Sequence, residues 1–545
     1  MTTTAPPATM TPAGGLTHRQ ILTVLSGLML GMFLASLDQT IVSTAMRTIA
    51  DKLNGQTAQA WVTTAYLVTS TVSTPLYGKL SDLYGRKPFY LFAISIFVVG
   101  SILCGFAHSI YELAAYRALQ GIGAGGLMSL AFAIVGDIVP PRERGRYQGY
   151  FMSVFATSSI LGPVLGGFFA GQSSILGIDG WRWIFYLNVP TGILALVVVS
   201  KVLGKRSARS EHRIDYLGAA LLTLAVVPFL LLAEKGREWG WTSPLALGLL
   251  AVSVVALGLF IPRQRQMGEE AILPLRIFAN RVFTVSSTVA FLVGIAMFGG
   301  LTSLPLYLQV VRGESPTRAG LQLIPFMVGM MGASLSTGRI MSRTGRYKIF
   351  PIIGIAVMLV AMALFTTLTV DTPIARTMSF MLVMGIGLGL TMQTLVISVQ
   401  NALPPSDMGV ATSSVTFFRS MGGTFGVAAS LALLFGSLGG NIRDRAIAAH
   451  LPADVIARFK HATALNDTSV ISTLPPVVRR VVLEGFADSM HTVFLMVLIL
   501  LIPAFVLSFF IKEVPLRSMS GIEAARAEAD AGLQLERAKA ETAFL

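Results

Sequence analysis

Along this chain, from residue 21 to residue 511, apolar stretches of about twenty residues alternate with short polar breaks. Fourteen such stretches stand out, near 21–45, 59–79, 89–107, 111–137, 147–170, 182–203, 214–233, 243–261, 283–309, 318–338, 349–369, 375–400, 408–434 and 488–511. A helix of about twenty apolar residues crosses the hydrocarbon core of a bilayer. Helix is also the state in which a spanning segment satisfies its own backbone in lipid, which an open strand does not. The pattern therefore predicts an all-α polytopic membrane protein in the lipid bilayer.

The pattern also repeats. "GIGAGG" at Gly121 returns as "GIGLGL" at Gly385, and "VPPRERG" at Val139 returns as "LPPSDMG" at Leu403, both 264 residues on. "GKLSDLYGRK", starting at Gly78, returns in worn form as "GRIMSRTGRYK" at Gly338, 260 residues on. The register pairs stretches 1–6 with stretches 9–14 and leaves 7 and 8 as an insertion, a 6 + 2 + 6 plan. Parallel repeats of six helices are a transporter architecture, with the substrate path between the halves. The expected divisions are a disordered tail over 1–18, a six-helix bundle over 19–203, two inserted helices over 204–262, a linker over 263–282, and a second bundle over 283–512. Within the second bundle, 435–487 reads as a long outer loop, and 513–545 reads as a tail.

Composition agrees. Of 545 residues, 53% are hydrophobic and 12% charged, against about a quarter charged in soluble chains. Mean hydropathy is +0.70. The net charge of +14 would suggest nucleic acid in a soluble protein, but no nucleic-acid motif accompanies it. Its distribution is topological. With the N-terminus inside, the inner loops carry clusters such as Arg142, Arg144, Arg146 and Arg339, Arg343, Arg346, Lys348, whereas no short outer loop holds more than two Lys or Arg. The bias places both termini in the cytoplasm, across the cytoplasmic membrane.

Chemistry follows from the few polar groups inside the apolar stretches. Asp38 lies in the first, and intramembrane acids mark ion paths by default. Arg117 lies in the fourth and Arg419 in the thirteenth. Asp82 is the acid in an otherwise basic loop, and Arg86 follows it four residues on, so both share a face if that segment is helical. Orientation alone needs only Lys and Arg, so Asp82 asks for another partner. The sole cysteine, Cys104, forms no internal disulfide. No phosphate-cradling G-x-x-x-x-G-K-[ST] loop and no H-E-x-x-H metal motif occurs, and the six histidines are scattered. Neither an ATPase nor a metal or other cofactor is expected, and a membrane enzyme is disfavoured.

Several motifs together resemble the major facilitator superfamily, and within it the 14-helix drug:H+ antiporter family 2. "GKLSDLYGRK" resembles the signature between helices 2 and 3, "RALQGIGAGG" at Arg117 the helix 4 signature, "LGPVLGG" at Leu161 the antiporter signature of helix 5, and "LDQTIV" at Leu37 a helix 1 signature. The resemblance implies a proton-coupled antiporter exporting amphipathic or cationic small molecules, with a lipid or dedicated metabolite as the alternative cargo. It implies proton coupling or substrate binding at Asp38 and Arg117. It implies a gating latch of Gly78, Asp82, Gly85, Arg86, Lys87 and Asp137, with Asp82 meeting a helix start near Asp407 to Val410 in the other half. Gly162, Pro163, Gly166 and Gly167 form the antiporter motif. A cavity lined by helices 1, 4, 9 and 12 would draw on Phe33, Gln120, Tyr307, Gln309, Met392 and Gln393, with Arg419 a further candidate. Ser342 stands where the second half would carry the mate of Asp82, so the first half is expected to dominate gating.

Overall fold

The computed structural model describes residues 17–55, 58–203, 214–314, 316–452, 471, 474–517 and 523. Residues 1–16 of the tail expected over 1–18, residues 204–213 of the expected insertion, and, apart from 523, residues 518–545 of the tail expected over 513–545 lie outside the described residues; Thr17 and His18 open the first helix instead of belonging to a disordered tail. The long helices are numbered here in chain order and the short ones left unnumbered. The first half comprises α1 (His18–Lys52), α2 (Gln59–Tyr84), α3 (Arg86–Phe106), α4 (Ile110–Ile138), α5 (Pro141–Gly171) and α6 (Asn188–Val202). The inserted pair is α7 (Tyr216–Trp239) and α8 (Pro244–Met267). The second half comprises α9 (Arg281–Leu306), α10 (Ile324–Thr344), α11 (Ile349–Phe365), α12 (Ile374–Ala402), α13 (Met408–Ala448) and α14 (Pro476–Phe509). Each falls on one of the fourteen apolar stretches.

Local chemistry sets several of these boundaries. The side chains of Thr17 and Gln20 satisfy each other's backbone N–H and open α1 with a capping box. Ser109 accepts from the backbone N–H of Glu112 to start α4, with that acid in the first turn. Gly85 divides α2 from α3 at φ +96°, a left-handed conformation that favours glycine. Among the described residues, twelve helical segments are long and apolar enough to cross a membrane. The other two are α11, apolar but of 17 residues, and α2, whose many Thr, Ser and Tyr residues suit a helix packed between α4 and α13 rather than against lipid.

The two halves pack alike. In the first, α1 lies against α5 and α6, and α4 against α2 and α3; in the second, α9 lies against α13 and α14, and α12 against α10 and α11. The halves meet along α2–α13, α4–α13 and α5–α10. The inserted α7 and α8 pair with each other, and α7 leans on the α2–α13 seam, where Phe229 stacks on Phe425 and Trp239 meets Trp61 at a tilt. The outer face of α8, with Val254 and Val255 exposed, is apolar, as a lipid-facing surface requires.

One expectation needs correction. The segment 435–487 is not simply a loop: α13 runs on to Ala448 and α14 begins at Pro476. Arg445 grips Asp488 through two bonds of 2.7 and 2.8 Å, and Arg480 pairs with Asp371 and Glu484. These pairs occupy the polar faces of two continuing helices. Their mixed polarity hid the helices from a search for apolar runs.

Candidate functional site

Asp38 sits in the middle of α1, fully buried. Arg117 of α4 donates to it at 2.5 Å, Gln120 of the same helix at 2.9 Å, and Asn188, at the start of α6, at 2.8 Å. A buried carboxylate without such donors would be strongly unfavourable; here a guanidinium and two amides surround it. Gln120 also reaches Ser101. Two polar atoms of the cluster, Arg117 Nε and Asn188 Oδ1, have no partner among the described residues. The face of Arg117 lies 4.1 Å from the ring centre of Tyr66 on α2, a cation–π contact.

Tyr66 is also part of the wall of a cavity of about 260 Å³ between the halves. The wall is mostly apolar and aromatic, with Met128, Phe132, Phe155, Met297, Phe298 and Met392. Hydroxyls of Ser70, Thr71, Thr74, Thr416, Ser420 and Thr424 dot it. Met128 and Met392 are repeat mates, 264 residues apart, so the duplication places one flexible methionine on each side. Of the residues expected to line this cavity, Met392 and Arg419 do so. Gln120 instead binds Asp38, and Phe33 packs into the first-half core. Tyr307 is buried in a π-helical turn after α9 and bonds Thr369, Gln309 is exposed, and Gln393 is buried with its amide unpartnered among the described residues. The expected set of lining helices also changes: α2 and α13, at the seam, supply more of the wall than α9 or α12, because their small polar residues let the halves approach closely.

At the end of the molecule where α2 turns into α3, here termed the basic end, the halves are fastened. The carboxylate of Asp82 accepts the backbone N–H of Gly409 at 2.9 Å and of Val410 at 2.8 Å, at the N-terminus of α13. An anion there meets the positive end of the helix dipole and its free N–H groups. Arg86 bridges Asp82 at 2.5 Å and Asp137 at 2.9 Å. Gly78 and Gly409 make this approach feasible: a Cβ on Gly78 would strike Ser413, and one on Gly409 would strike Arg86 and Asp82. Lys87 stands apart and caps the carbonyl of Ser200 at the end of α6. Gly409→Ala is expected to cost about 1–3 kcal/mol of stability by overpacking the latch; thermal unfolding of the purified protein against wild type checks this, and an unchanged midpoint would count against so tight a contact.

Two further fastenings were not visible in the sequence. Arg144, fully buried, donates to the carbonyls of Val139 and Gly136 and, at 2.7 Å, to Gln400 Oε1 in the other half. Gln400 in turn donates to the carbonyl of Phe132 at 3.3 Å and to Thr412 at 2.8 Å. Arg144 lies within a run of basic loop residues and read as a topological charge. Beside the latch, Lys79 donates to the carbonyl of Glu269, and Arg276 pairs with Glu269 and with Asp407.

The second half has a different fitting at the equivalent place. Asn401 is the repeat mate of Asp137, and its side chain holds the backbone of Val514, Pro515 and Arg517. Tyr347 binds Lys512, Glu513 and Val514. The segment after α14 thus straps across the basic end of its own half; the backbone carbonyl of Ser342 accepts from Arg142 of the first half, and its hydroxyl donates to the carbonyl of Arg339 within its own helix. In α5, Gly162 and Gly166 press against Thr40 and Ile41 of α1, next to Asp38, whereas a Cβ on Gly167 would meet nothing among the described residues. Pro163 lies inside the helix between them.

Two like helical bundles, latched at one end and enclosing a central cavity with a buried ion pair behind its wall, define a membrane transporter. The family model of the Major Facilitator Superfamily matches residues 28–427, and the chain belongs to that superfamily. It is 38% identical, over 90% of its length and 70% of the relative's, to an uncharacterized MFS-type transporter of Mycobacterium tuberculosis. It is 34% identical to the multidrug transporter protein MdtP of Bacillus subtilis, covering 90% of this chain and 93% of that one, and 33% identical to multidrug resistance protein 3 of the same species, covering 90% and 95%. Among solved structures, the proton:xylose symporter XylE shares the fold with a TM-score of 0.59 at 14% identity, over 94% of this chain and 100% of that one.

Proposed function

We propose that the protein is a proton-coupled antiporter that exports amphipathic small molecules across the cytoplasmic membrane, with the basic end and both termini in the cytoplasm. The observation that carries this reading is the arrangement cavity–Tyr66–Arg117–Asp38, in which a single aromatic ring separates the cargo space from a buried, titratable pair. The names of the Bacillus relatives support drug export. The cavity, at about 260 Å³, falls just below the roughly 300–1,000 Å³ usual for ligand pockets, which favours a small cargo and sets a lipid behind.

In this mechanism Asp38 exchanges a proton. While ionised it needs the donors it has. Once protonated it needs an acceptor, and the unpartnered Asn188 Oδ1 supplies one after a rotation of the amide. Arg117, released from the charge, then re-pairs. Tyr66 transmits cargo binding to that choice, because a ligand against its ring alters the hold on the guanidinium. The latch at Asp82 keeps the cytoplasmic side shut until the halves rock. One proton moving down 100 mV supplies about 2.3 kcal/mol, enough to drive a modest gradient of cargo.

Reconstituted liposomes carrying an internal pH indicator and an imposed proton gradient test the proposal. Cargo-dependent proton movement is expected, and its absence across a panel of anionic, neutral and cationic amphipaths would refute exchange. Within this assay, Tyr66→Leu is expected to lower the protons moved per cargo at least twofold, since a buried cation–π contact is worth roughly 2 kcal/mol. Tyr66→Phe keeps the ring and should behave as wild type. Equal coupling in Tyr66→Leu would remove Tyr66 from the pathway.

A further inference from the structure

We infer that the cavity selects anionic cargo, an aromatic or otherwise amphipathic body bearing a carboxylate, sulfonate or phosphate, and that Arg419 is the group that recognises it. This inference rests on the exporter reading above and narrows its substrate class away from cations. Arg419 is the one charged residue of the cavity wall among the described residues. It is 9% exposed, and no described residue offers it a hydrogen bond or an ion pair. The contrast with Arg117 is direct: that arginine has its carboxylate, amide and ring, and Asp38 is held behind the wall rather than in it.

Its direction follows from the helix. Thr416, Ser420, Gly423, Thr424 and Val427 mark one face of α13 at helical spacing, all in the wall, and Arg419 falls on that face. The duplication adds a second argument. The repeat mate of Arg419, 264 residues earlier, is Phe155, which also lines the cavity. The position therefore faces the cargo in both halves, and only the second half carries a charge there. A buried guanidinium without a counter-charge is costly, and a planar fork of donors fits a carboxylate, sulfonate or phosphate in two-point fashion. Ser420 beside it adds a hydroxyl donor, whereas the hydroxyl of Thr416 is spent on the carbonyl of Thr412. A cation in the same space would meet an unscreened like charge, with no acid in the wall to offset it.

Three probes sharing one aromatic body test this in the full-length protein in lipid nanodiscs: dansylate (anionic), dansylamide (neutral) and a dansyl amide with a trimethylammonium arm (cationic). In wild type, dansylate is expected to bind at least tenfold tighter than the cation. Arg419→Gln should weaken dansylate by roughly 10- to 100-fold, the range for a hydrogen bond to a charged group, and should strengthen the cation. Arg419→Lys should keep part of the dansylate affinity, having charge without the fork. Gain of the cation in Arg419→Gln cannot come from a damaged fold. Wild type binding the cation as tightly as dansylate, or dansylate unmoved in Arg419→Gln, would overturn the inference. An equal loss of dansylamide counts against it as well, since Arg419 would then shape the wall rather than hold an anion. Transport of the cation alone into energised vesicles would preserve the exporter and defeat anion selection, and neither binding nor transport of any of the three would defeat both.

Discussion

Asp38→Asn is expected to abolish cargo-driven proton movement in liposomes while leaving cargo affinity within about threefold. The asymmetry follows from placement: Asp38 is behind the cavity wall and touches no cargo, but it is the buried acid that contacts Arg117. The substitution also leaves Arg117 charged and buried without its counter-charge, and breaking one side of a buried pair typically costs about 3–5 kcal/mol. Asparagine still accepts one hydrogen bond, so the lower end of that range is expected. The double variant Asp38→Asn, Arg117→Gln should recover most of the stability and none of the coupling. Proton movement that survives in Asp38→Asn would move the coupling site elsewhere; unfolding midpoints of the single and double variants separate lost chemistry from lost structure.

The second large effect is at the latch. Asp82→Asn removes the charge that holds two backbone N–H groups of α13 and Arg86. Charge-assisted hydrogen bonds are about twice as strong as neutral ones, and a net loss of roughly 3 kcal/mol shifts a two-state equilibrium by about 150-fold. The basic end should therefore open in a large fraction of molecules. Spin labels on Tyr150→Cys and Ile340→Cys, both exposed and on opposite halves, in a Cys104→Ser background, report the opening as a longer distance population. An unchanged distance distribution would mean that Arg144–Gln400 and the Arg276–Asp407 pair hold the halves shut without Asp82.

How much of this was legible in the sequence depended on the range of the interaction. The fourteen helices were legible because lipid imposes a length and an apolar composition on each. The duplication was legible from short glycine motifs in register. The acid in a basic loop drew attention to Asp82, since topology gives no reason for it. Partners such as Asn188, Gln400 and Asp407 were not legible, because a polar residue at a helix end looks the same whether it faces water or another half of the protein. The cavity wall was misread for a related reason. Helix number along the chain says which helices are central, but not that α2 and α13, both less apolar than α9, give more of the wall than α9 does. Arg419 stood out in the sequence as a charge inside an apolar stretch, but only its place in the cavity wall without a partner among the described residues gave that charge a meaning.

The strap that follows α14 has a practical consequence for anyone who expresses this protein. Residues 512–517 are clamped by Tyr347 and Asn401, so a reporter or purification handle joined upstream of Arg517 would strip the clamp from its seat. A handle joined downstream of Arg517 would leave it intact. Shortened versions made for crystallisation should respect the same boundary, or they will report the behaviour of a transporter with one of its two ends untied.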